Sequence, residues 1–461
     1  MKLLSQKVKF DSDLLIKYDK PLPRYTSYPP ATELKENFTE TDFHNAIAAG
    51  NSQNIPLSLY CHIPFCESPC YFCGCNTIIT QRKEVVDPYL NYIAKNITKV
   101  ASEIDPKRQV EQLHWGGGTP NYLNLDQVEK LWTILNENFN FSDRAEISIE
   151  INPKNVDKNY LLLLKDLGFN RISFGIQDFN PQVQAAINRI QSETMLFQVM
   201  EWIREVGFES VNVDLIYGLP YQNLATFTDT IQKTIKLNPD RIAVFNFAYV
   251  PWLKPVQRRI PQEALPKAQE KLDIFHFTID ELTEKGYVFI GMDHFAKPND
   301  ELAIAQREGK LHRNFQGYTT KPESDLFGFG ISSISMLQTV YAQNNKRLKD
   351  YYQAIDSEIL PLEKGVNLHR DDLIRRAVIM ELMCQFQLDK SEFETRYHLD
   401  FDTYFAEELV RLSLLANDGL VELFPHSIVV TARGRLLIRN IASVFDSYLQ
   451  HKQVEKFSKA I

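Results

Sequence analysis

Between residues 57 and 251 the chain repeats one unit, a short apolar run followed by a segment with helical spacing, and this repetition restricts the fold more than any other feature. The runs are LSLYCHIPF (57–65), QLHWGGG (112–118), EISIEINP (146–153), RISFGIQDF (171–179), VNVDLIYGLP (211–220) and RIAVFNFAYVP (241–251). Their length and alternation predict six strands. The segments between them have recognisable ends: Asn124 with Gln127 opens one, Gly168 closes the next, and Ser192 to Gly207 carries both a cap and a stop. Strand, helix, strand order implies parallel strands joined by right-handed crossovers. Six units suit an α/β fold of the partial (β/α)6 barrel type at least as well as a flat doubly wound sheet. A further helix, roughly Lys267 to Lys285, precedes YVFIGMDHF (287–295).

The flanks differ in character. Residues 1–55 are polar and proline-dotted, with the turn-rich PLPRYTSYPP at 21–30, and read as an irregular N-terminal extension leaning on the main domain at 56–364. Residues 365–461 show helical periodicity in RDDLIRRAVIMELMCQF and FDTYFAEELVRLSLLANDG, then a hairpin-like GLVELFPHSIVVT and a final helix, ARGRLLIRNIASVFDSYLQ. This predicts a mostly helical, winged-helix-like C-terminal domain. Such domains often bind DNA, but the net charge of −8 argues against a broadly basic surface, so no nucleic-acid partner is expected. Lys7, Lys9, Asp11 and Asp13 interrupt the first residues before a signal-length apolar run develops, and no later stretch approaches membrane-spanning length. The expectation is a cytoplasmic protein without a membrane span.

Four of the six cysteines crowd into CESPCYFCGC, spaced Cys66-x3-Cys70-x2-Cys73-x-Cys75, immediately after the first strand. They are too close together to form a stabilising disulfide framework in a chain of 461 residues. Thiolates suit soft metals, and three on one loop can hold three corners of an iron-sulfur cubane while leaving one iron open. Zinc is the alternative, but structural zinc usually takes two separated ligand pairs, and no second pair follows. Cys61 alternates away from Tyr60 and His62, and Cys384 lies in the apolar stripe of a C-terminal helix; both read as core.

The x3-x2 spacing after the first barrel strand is similar to the signature of radical S-adenosylmethionine (SAM) enzymes. Together with PRYTSYP (23–29), YCHIPFCESPCYFCGCN (60–76), HWGGGTP (114–120), FGIQDF (174–179), DLIYGLP (214–220), GMDHFA (291–296) and HRNFQGYTT (312–320), the chain resembles the oxygen-independent coproporphyrinogen III oxidase family over nearly its whole length. The resemblance implies that Cys66, Cys70 and Cys73 bind a [4Fe-4S] cluster whose fourth iron is chelated by SAM. It assigns Tyr60, Gly117, Glu150 and Ile334 to that SAM. It assigns Phe72, Gly118, Thr119, Gln177, Arg189, Asp214 and Ala248 to a second SAM molecule. Cys75 is expected as a fourth, non-coordinating cysteine close to the cluster or substrate. One departure is Cys61, where the family usually has an aliphatic residue.

Read without the resemblance, three glycines at 116–118 could be no more than a tight turn. Glu150 could be a surface-exposed strand end, although alternation puts it on one face with Glu146 and Ser148. Arg189 and Asp214 could form a structural ion pair. The resemblance implies anaerobic oxidative decarboxylation of two propionates of coproporphyrinogen III to vinyl groups, giving protoporphyrinogen IX in haem biosynthesis. A monomer is expected, served by a flavodoxin- or ferredoxin-type electron donor. Four carboxylates on the substrate call for basic and hydrogen-bonding groups, and Arg24, His62, Arg313 and Gln316 are the candidates. The rival readings are a haem-binding chaperone of the same superfamily and a zinc-stabilised scaffold.

Overall fold

The computed structural model describes residues 7–321 and 324–449. The six expected strands are present as β1 (Leu57–Ile63), β2 (Gln109–Gly117), β3 (Asn140–Ile151), β4 (Arg171–Gln177), β5 (Ser210–Tyr217) and β6 (Arg241–Asn246). They pair in chain order, all parallel. The crossovers carry α1 (Val86–Ala101), α2 (Leu125–Asn138), α3 (Lys158–Asp166), α4 (Glu193–Val206) and α5 (Leu224–Leu237). The predicted caps hold: Asn124 and Gln127 form a capping box at the start of α2, Ser192 accepts from Met195 N–H, and Gly207 closes α4 with a left-handed φ of 87°. The next helix, α6 (Ala268–Glu284), precedes β7 (Val288–Gly291) and β8 (His294–Ala296). YVFIGMDHF is therefore a hairpin that adds antiparallel strands to β6.

The sheet has twelve strands, because four more lie beyond β1: β9 (Asp325–Phe329), β10 (Ile334–Met336), β11 (Val340–Asn344) and β12 (Leu362–Asn367). β9 pairs parallel to β1 as a seventh parallel strand, and β10 to β12 continue antiparallel. DLFGF was not among the expected strands: it is buried on both faces and so lacks the alternation that marked the others. The reason for Gly328 is contact: a Cβ there would lie 2.9 Å from the Ile334 carbonyl oxygen and from Ser333 Cβ. Along β1, Leu57, Leu59, Cys61 and Ile63 pack in the main apolar core with α1 residues such as Tyr89, Leu90 and Ile93, while Ser58, Tyr60 and His62 take the opposite face. Cys61 and Cys384 are both buried.

The N-terminal extension is more regular than expected. It contains helices Ser12–Lys17 and Glu40–Ser52, the latter opened by a Thr39/Asp42 capping box and packed through Phe43, Ala46 and Ile47. At the other end, helices Arg370–Gln385, Lys390–Tyr397 and Ala406–Asn417 surround a small sheet of Gln387–Asp389, Ser427–Val430 and Val421–Phe424, a winged-helix-like arrangement that includes the expected hairpin. The expected final helix is broken into short turns at Gly434–Leu437, Ile438–Ala442 and Ser443–Phe445. Its central turn is buried on every side, and Gly434 lies against the Leu420 carbonyl, so tertiary packing overrides the periodicity.

Candidate active site

Register explains why the barrel interior is polar. β2 and β3 pair Gln112 with Glu146 and His114 with Ser148, and each pair is hydrogen-bonded: Gln112 donates to Glu146 at 2.9 Å, and His114 Nδ1 meets Ser148 Oγ at 2.7 Å. Tyr60, opposite His114 on β1, stacks on its imidazole at 5.9 Å between ring centroids. One step further along, His114 Nε2 lies 3.4 Å from Glu150 Oε1, and Gly117 N–H donates to Glu150 Oε2 at 3.2 Å. A Cβ on Gly116 would lie 3.0 to 3.2 Å from His114, Tyr60 and Glu150, so the glycine run lets the backbone close over this group. Burial pushes the Glu150 carboxyl up, but the hydrogen bond and charge of His114, the Gly117 N–H and His62 hold it below its ordinary value. Glu150 is not a surface strand end; its side chain, 47% exposed, opens into a cavity.

That cavity, of about 630 Å³, sits at the C-terminal ends of the parallel strands, where reactive groups gather in this architecture. Cys66, Cys70, Cys73 and Cys75 all line it, with Phe72, Gly117, Gly118, Thr119, Glu150, Gln177, Arg189 and Asp214. The cysteine loop is rooted by a parallel pairing of Phe65–Cys66 with Ile78–Ile79 and by Asn188 donating to the Pro69 carbonyl at 2.7 Å. His62 fixes it too: its Nε2 meets the Asn76 carbonyl at 3.0 Å, its Nδ1 lies 3.0 Å from Tyr60 Oη, and Gly117 packs on the ring. Cys66 Sγ lies 3.3 Å from Thr119 Oγ1, and Arg189 donates to Cys70 Sγ at 3.6 Å. The Cys75 hydrogen bond draws the Cys73 thiol down to about 6 against burial.

These residues fit the group the spacing implies. Among the described residues no three His, Cys, Asp or Glu side chains gather closely enough to hold a single ion, whereas a cubane takes one thiolate at each of several irons. The neighbouring walls fit a polar ligand. Gln177, held at a φ of 69°, is buried with its Oε1 unpartnered among the described residues, and its carboxamide occupies the space a Cβ on Gly175 would need. Gly118 lets the strand pass within contact of the Pro64 carbonyl, 2.5 Å from where a Cβ would sit. Arg189 donates to the Gly175 carbonyl at 2.8 Å and makes no ion pair with Asp214 among the described residues; Asp214 accepts from Asn212 at 2.8 Å instead. Burial pushes Asp214 up to about 7, with Asn212 and Arg189 opposing and Glu150 reinforcing it.

Other expected residues lie outside this wall. Ala248 lines a second cavity, yet its carbonyl is tied to that of Phe72 by one side chain, buried Gln257, which donates to both at 3.2 and 3.4 Å. Ile334 packs with Leu34, Tyr341 and Leu368, on the strand beside β9, and Tyr60 stands behind the cavity wall, against His114 and His62. Arg313 is 2% exposed, its guanidinium 4.5 Å from the Tyr318 ring and its Nε and Nη1 without hydrogen bonds among the described residues. Gln316 has a buried Nε2 without a partner among the described residues, and Arg24 is paired with Asp293. The sequence reading missed His114 and Gln257. His114 was visible in the alternation Gln112, His114, Gly116; Gln257 carried no signal.

Residues 60–234 match the Radical SAM superfamily, and residues 368–437 match the HemN C-terminal domain. The barrel, the loop of three thiols and the cavity beside them are thus those of a radical SAM protein, a class that carries a [4Fe-4S] cluster and SAM. The oxygen-independent coproporphyrinogen III oxidase of Synechocystis sp. is 65% identical over 459 residues, covering 98% of each chain. That of Escherichia coli K12 is 50% identical over 457 residues, covering 99% of each. The solved structure of coproporphyrinogen III oxidase (HemN) from Escherichia coli, described as a radical SAM enzyme, superposes with a TM-score of 0.93 at 51% identity, over 96% of this chain and all of that one. The chain belongs to the oxygen-independent coproporphyrinogen III oxidase family and is an oxidoreductase.

Proposed function

We propose that the chain converts coproporphyrinogen III to protoporphyrinogen IX without oxygen, turning two propionates into vinyl groups with loss of two carbon dioxides. The observation that carries the reading is the convergence of Cys66, Cys70 and Cys73 with Glu150, Gln177, Arg189 and Asp214 on one cavity. Cys66, Cys70 and Cys73 would hold the cluster, which when bound and reduced supplies reductive cleavage of SAM to methionine and a 5'-deoxyadenosyl radical. Glu150, charged and open to the cavity, receives an ammonium group; Tyr60 and Gly117 position it, and Ile334 backs the neighbouring strand. Phe72, Gly118, Thr119, Gln177, Arg189, Asp214 and Ala248 hold a second SAM, with Gln257 joining the Phe72 and Ala248 segments. Cys75 faces the cavity as the thiol that does not ligate iron. Arg313 and Gln316 serve the substrate with donors that the described residues leave unsatisfied.

By this reading residues 1–55 are an N-terminal extension, 56–364 the barrel with its flanking elements and 365–461 the C-terminal domain. No helix among the described residues is long and apolar enough to cross a membrane, and a cytoplasmic monomer fed by a flavodoxin- or ferredoxin-type donor suits the reaction. The test is an anaerobic assay of the cluster-loaded protein with reductant, SAM and coproporphyrinogen III, following protoporphyrin and 5'-deoxyadenosine. Both products are expected. 5'-Deoxyadenosine without protoporphyrin would overturn the substrate and favour a haem carrier; neither product would overturn the radical chemistry.

A further inference from the structure

The short helical turn Pro255–Arg259, with the lysine before it, runs along the cysteine loop in the opposite direction. Lys254 Nζ donates to the Cys75 carbonyl at 3.3 Å, Gln257 Nε2 to the Phe72 carbonyl at 3.4 Å, and Arg259 Nη1 to the Tyr71 hydroxyl at 3.4 Å. The Arg259 guanidinium also stands 5.4 Å from the Tyr71 ring. Tyr71 and Phe72 are the two residues between Cys70 and Cys73, so the turn is fastened to the stretch that joins two of the thiols. Their rings pack with Phe247, Tyr249 and Ile260 in an apolar cluster separate from the main core, which holds the two segments together.

Gln257 is buried and Val256 lines the main cavity, so what this segment presents to solvent is Trp252, 68% exposed, Leu253, 62% exposed, and the exposed Arg258 and Arg259. From Ile242 to Gln262 the sequence holds three cations, Lys254, Arg258 and Arg259, and no Asp or Glu, in a chain whose net charge is −8. Among the described residues none of the three forms an ion pair with a carboxylate. Glu67, the carboxylate of the cysteine loop, is paired with Lys83 at 3.0 Å. The face is therefore positive as well as apolar, and tryptophan and arginine are the residues on which protein interfaces most often depend. Electrons reach a cluster held on this loop by tunnelling, which falls off steeply with distance. A protein that delivers them must seat against the loop or against what is fastened to it.

We propose that Trp252, Leu253, Arg258 and Arg259 form the docking face for an acidic one-electron carrier protein, seated over the turn that is fastened to Tyr71 and Phe72. In the encounter the reduced carrier loses one electron and the cluster gains it, with no bond made or broken in this chain. Trp252 and Leu253 supply the apolar contact, while Arg258 and Arg259 steer the acidic partner and fix its orientation. A face this small suits the brief encounters of redox proteins, whose interfaces are among the smaller ones. The inference rests on the reading that an external carrier serves the site, and adds where that carrier sits and the charge it presents. It does not depend on the identity of the substrate.

The experiment titrates oxidised flavodoxin and, separately, an acidic ferredoxin against the anaerobic cluster-loaded protein at low and at high salt. Wild type is compared with Arg258→Glu, Arg258→Lys and Trp252→Ala, with iron content as the control. Arg258 lines neither the main cavity nor the one beside it, so its substitution tests the outer face alone. We expect Arg258→Glu to weaken carrier binding about tenfold or more at low salt, with the difference shrinking at high salt and Arg258→Lys keeping wild-type affinity. Trp252→Ala should weaken binding at both salt concentrations. With dithionite as reductant, 5'-deoxyadenosine formation from SAM should be the same in wild type and both Arg258 variants; with the reduced carrier it should fall in Arg258→Glu. Equal carrier affinity in wild type and Arg258→Glu overturns the docking face, as does an equal loss of 5'-deoxyadenosine with dithionite and with the carrier. Weaker binding of coproporphyrin III in Arg258→Glu, with carrier affinity intact, overturns it in favour of substrate entry. A wild-type protein that forms 5'-deoxyadenosine with dithionite but binds neither carrier overturns the carrier reading as well, and one that forms none with dithionite overturns the radical chemistry.

Discussion

His114 and Glu150 meet across β2 and β3, imidazole Nε2 3.4 Å from carboxylate Oε1, on the wall of the cavity that the cysteine loop covers. The contact bears on the charge state of a group that both faces the cavity and accepts a backbone N–H from the glycine run. Burial alone would favour the neutral acid; His114, Gly117 and His62 together favour the carboxylate. A cationic ligand therefore meets a charge that is already formed, with no proton to displace first.

Removing that partner has a pH-dependent cost. In His114→Ala the Glu150 carboxyl climbs, so a proton competes with the ammonium of SAM. We expect SAM affinity to fall about tenfold near pH 7 and further at pH 6, with recovery toward pH 8, because a carboxylate held low keeps its charge until the pH falls through its folded pKa. Calorimetric titration of SAM at the three pH values measures this, with iron content as the control. A loss that does not vary with pH would assign His114 to packing alone.

The division of labour among the cysteines predicts a second pattern. Cys66, Cys70 and Cys73 changed singly to Ser should each abolish the visible absorbance of thiolate-bound iron and reduce iron from about four per chain to near zero. Cys75→Ser should keep most of the iron and lose turnover. Its side chain is exposed to the cavity, and its backbone N–H already donates to Cys73 Sγ at 3.4 Å, so Ser can preserve the loop. Iron loss in Cys75→Ser would transfer a ligand role to it.

How much of this was legible follows from the range over which each signal acts. Strand alternation and caps such as Asn124/Gln127 and Ser192/Gly207 are written within a few residues, and they located the six parallel strands and their helices. The Cys66, Cys70 and Cys73 spacing is equally local. β9 was not legible, because DLFGF is buried on both faces and owes Gly328 to a neighbour on β10. The broken terminal turns were hidden for a similar reason: Gly434 is dictated by Leu420. Gln257 joins Phe72 to Ala248 from a short helical turn, Pro255–Arg259, distant in sequence from Phe72, and only the folded chain brings the three together. The Thr39/Asp42 box, in contrast, was readable and shows that a proline-dotted segment can still contain a capped helix.

Asp214 gives a signature in the ligand-free protein. Burial pushes its carboxyl up to about 7, so between about pH 4 and pH 7 the folded chain retains a proton that the unfolded chain has released. Stability contributed there is present at low pH and is lost as pH rises through about 7. Asp214→Asn should remove this slope, so its stability relative to wild type should improve by about 1 kcal/mol or more between pH 5 and pH 8. Denaturant midpoints across that range test it. Parallel profiles for the two proteins would mean that Asp214 is ionised throughout.

The far end of the barrel offers a test of the fold itself. Arg108 and Asp325 form an ion pair at 2.6 Å with both side chains fully buried, and Arg108 also donates to the Ile55 carbonyl at 2.6 Å and to Asn51 Oδ1 at 3.0 Å. The pair therefore fastens β9 to β2 and the end of the Glu40–Ser52 helix to both. Burial already pushes the Asp325 carboxyl above its usual range despite Arg108. Arg108→Met leaves that carboxyl buried without a counter-charge and should cost about 3–5 kcal/mol. The deficit should deepen as pH rises from 5 to 8, since Asp325 must then either stay protonated in the folded state or be ionised there unpaired. Arg108→Met with Asp325→Asn should recover more than half, because the Asn oxygen can still accept the Gln338 N–H that Asp325 accepts at 3.1 Å. Equal losses in the single and double variants would show that Arg108 acts through Ile55 and Asn51 and that its charge on Asp325 contributes nothing.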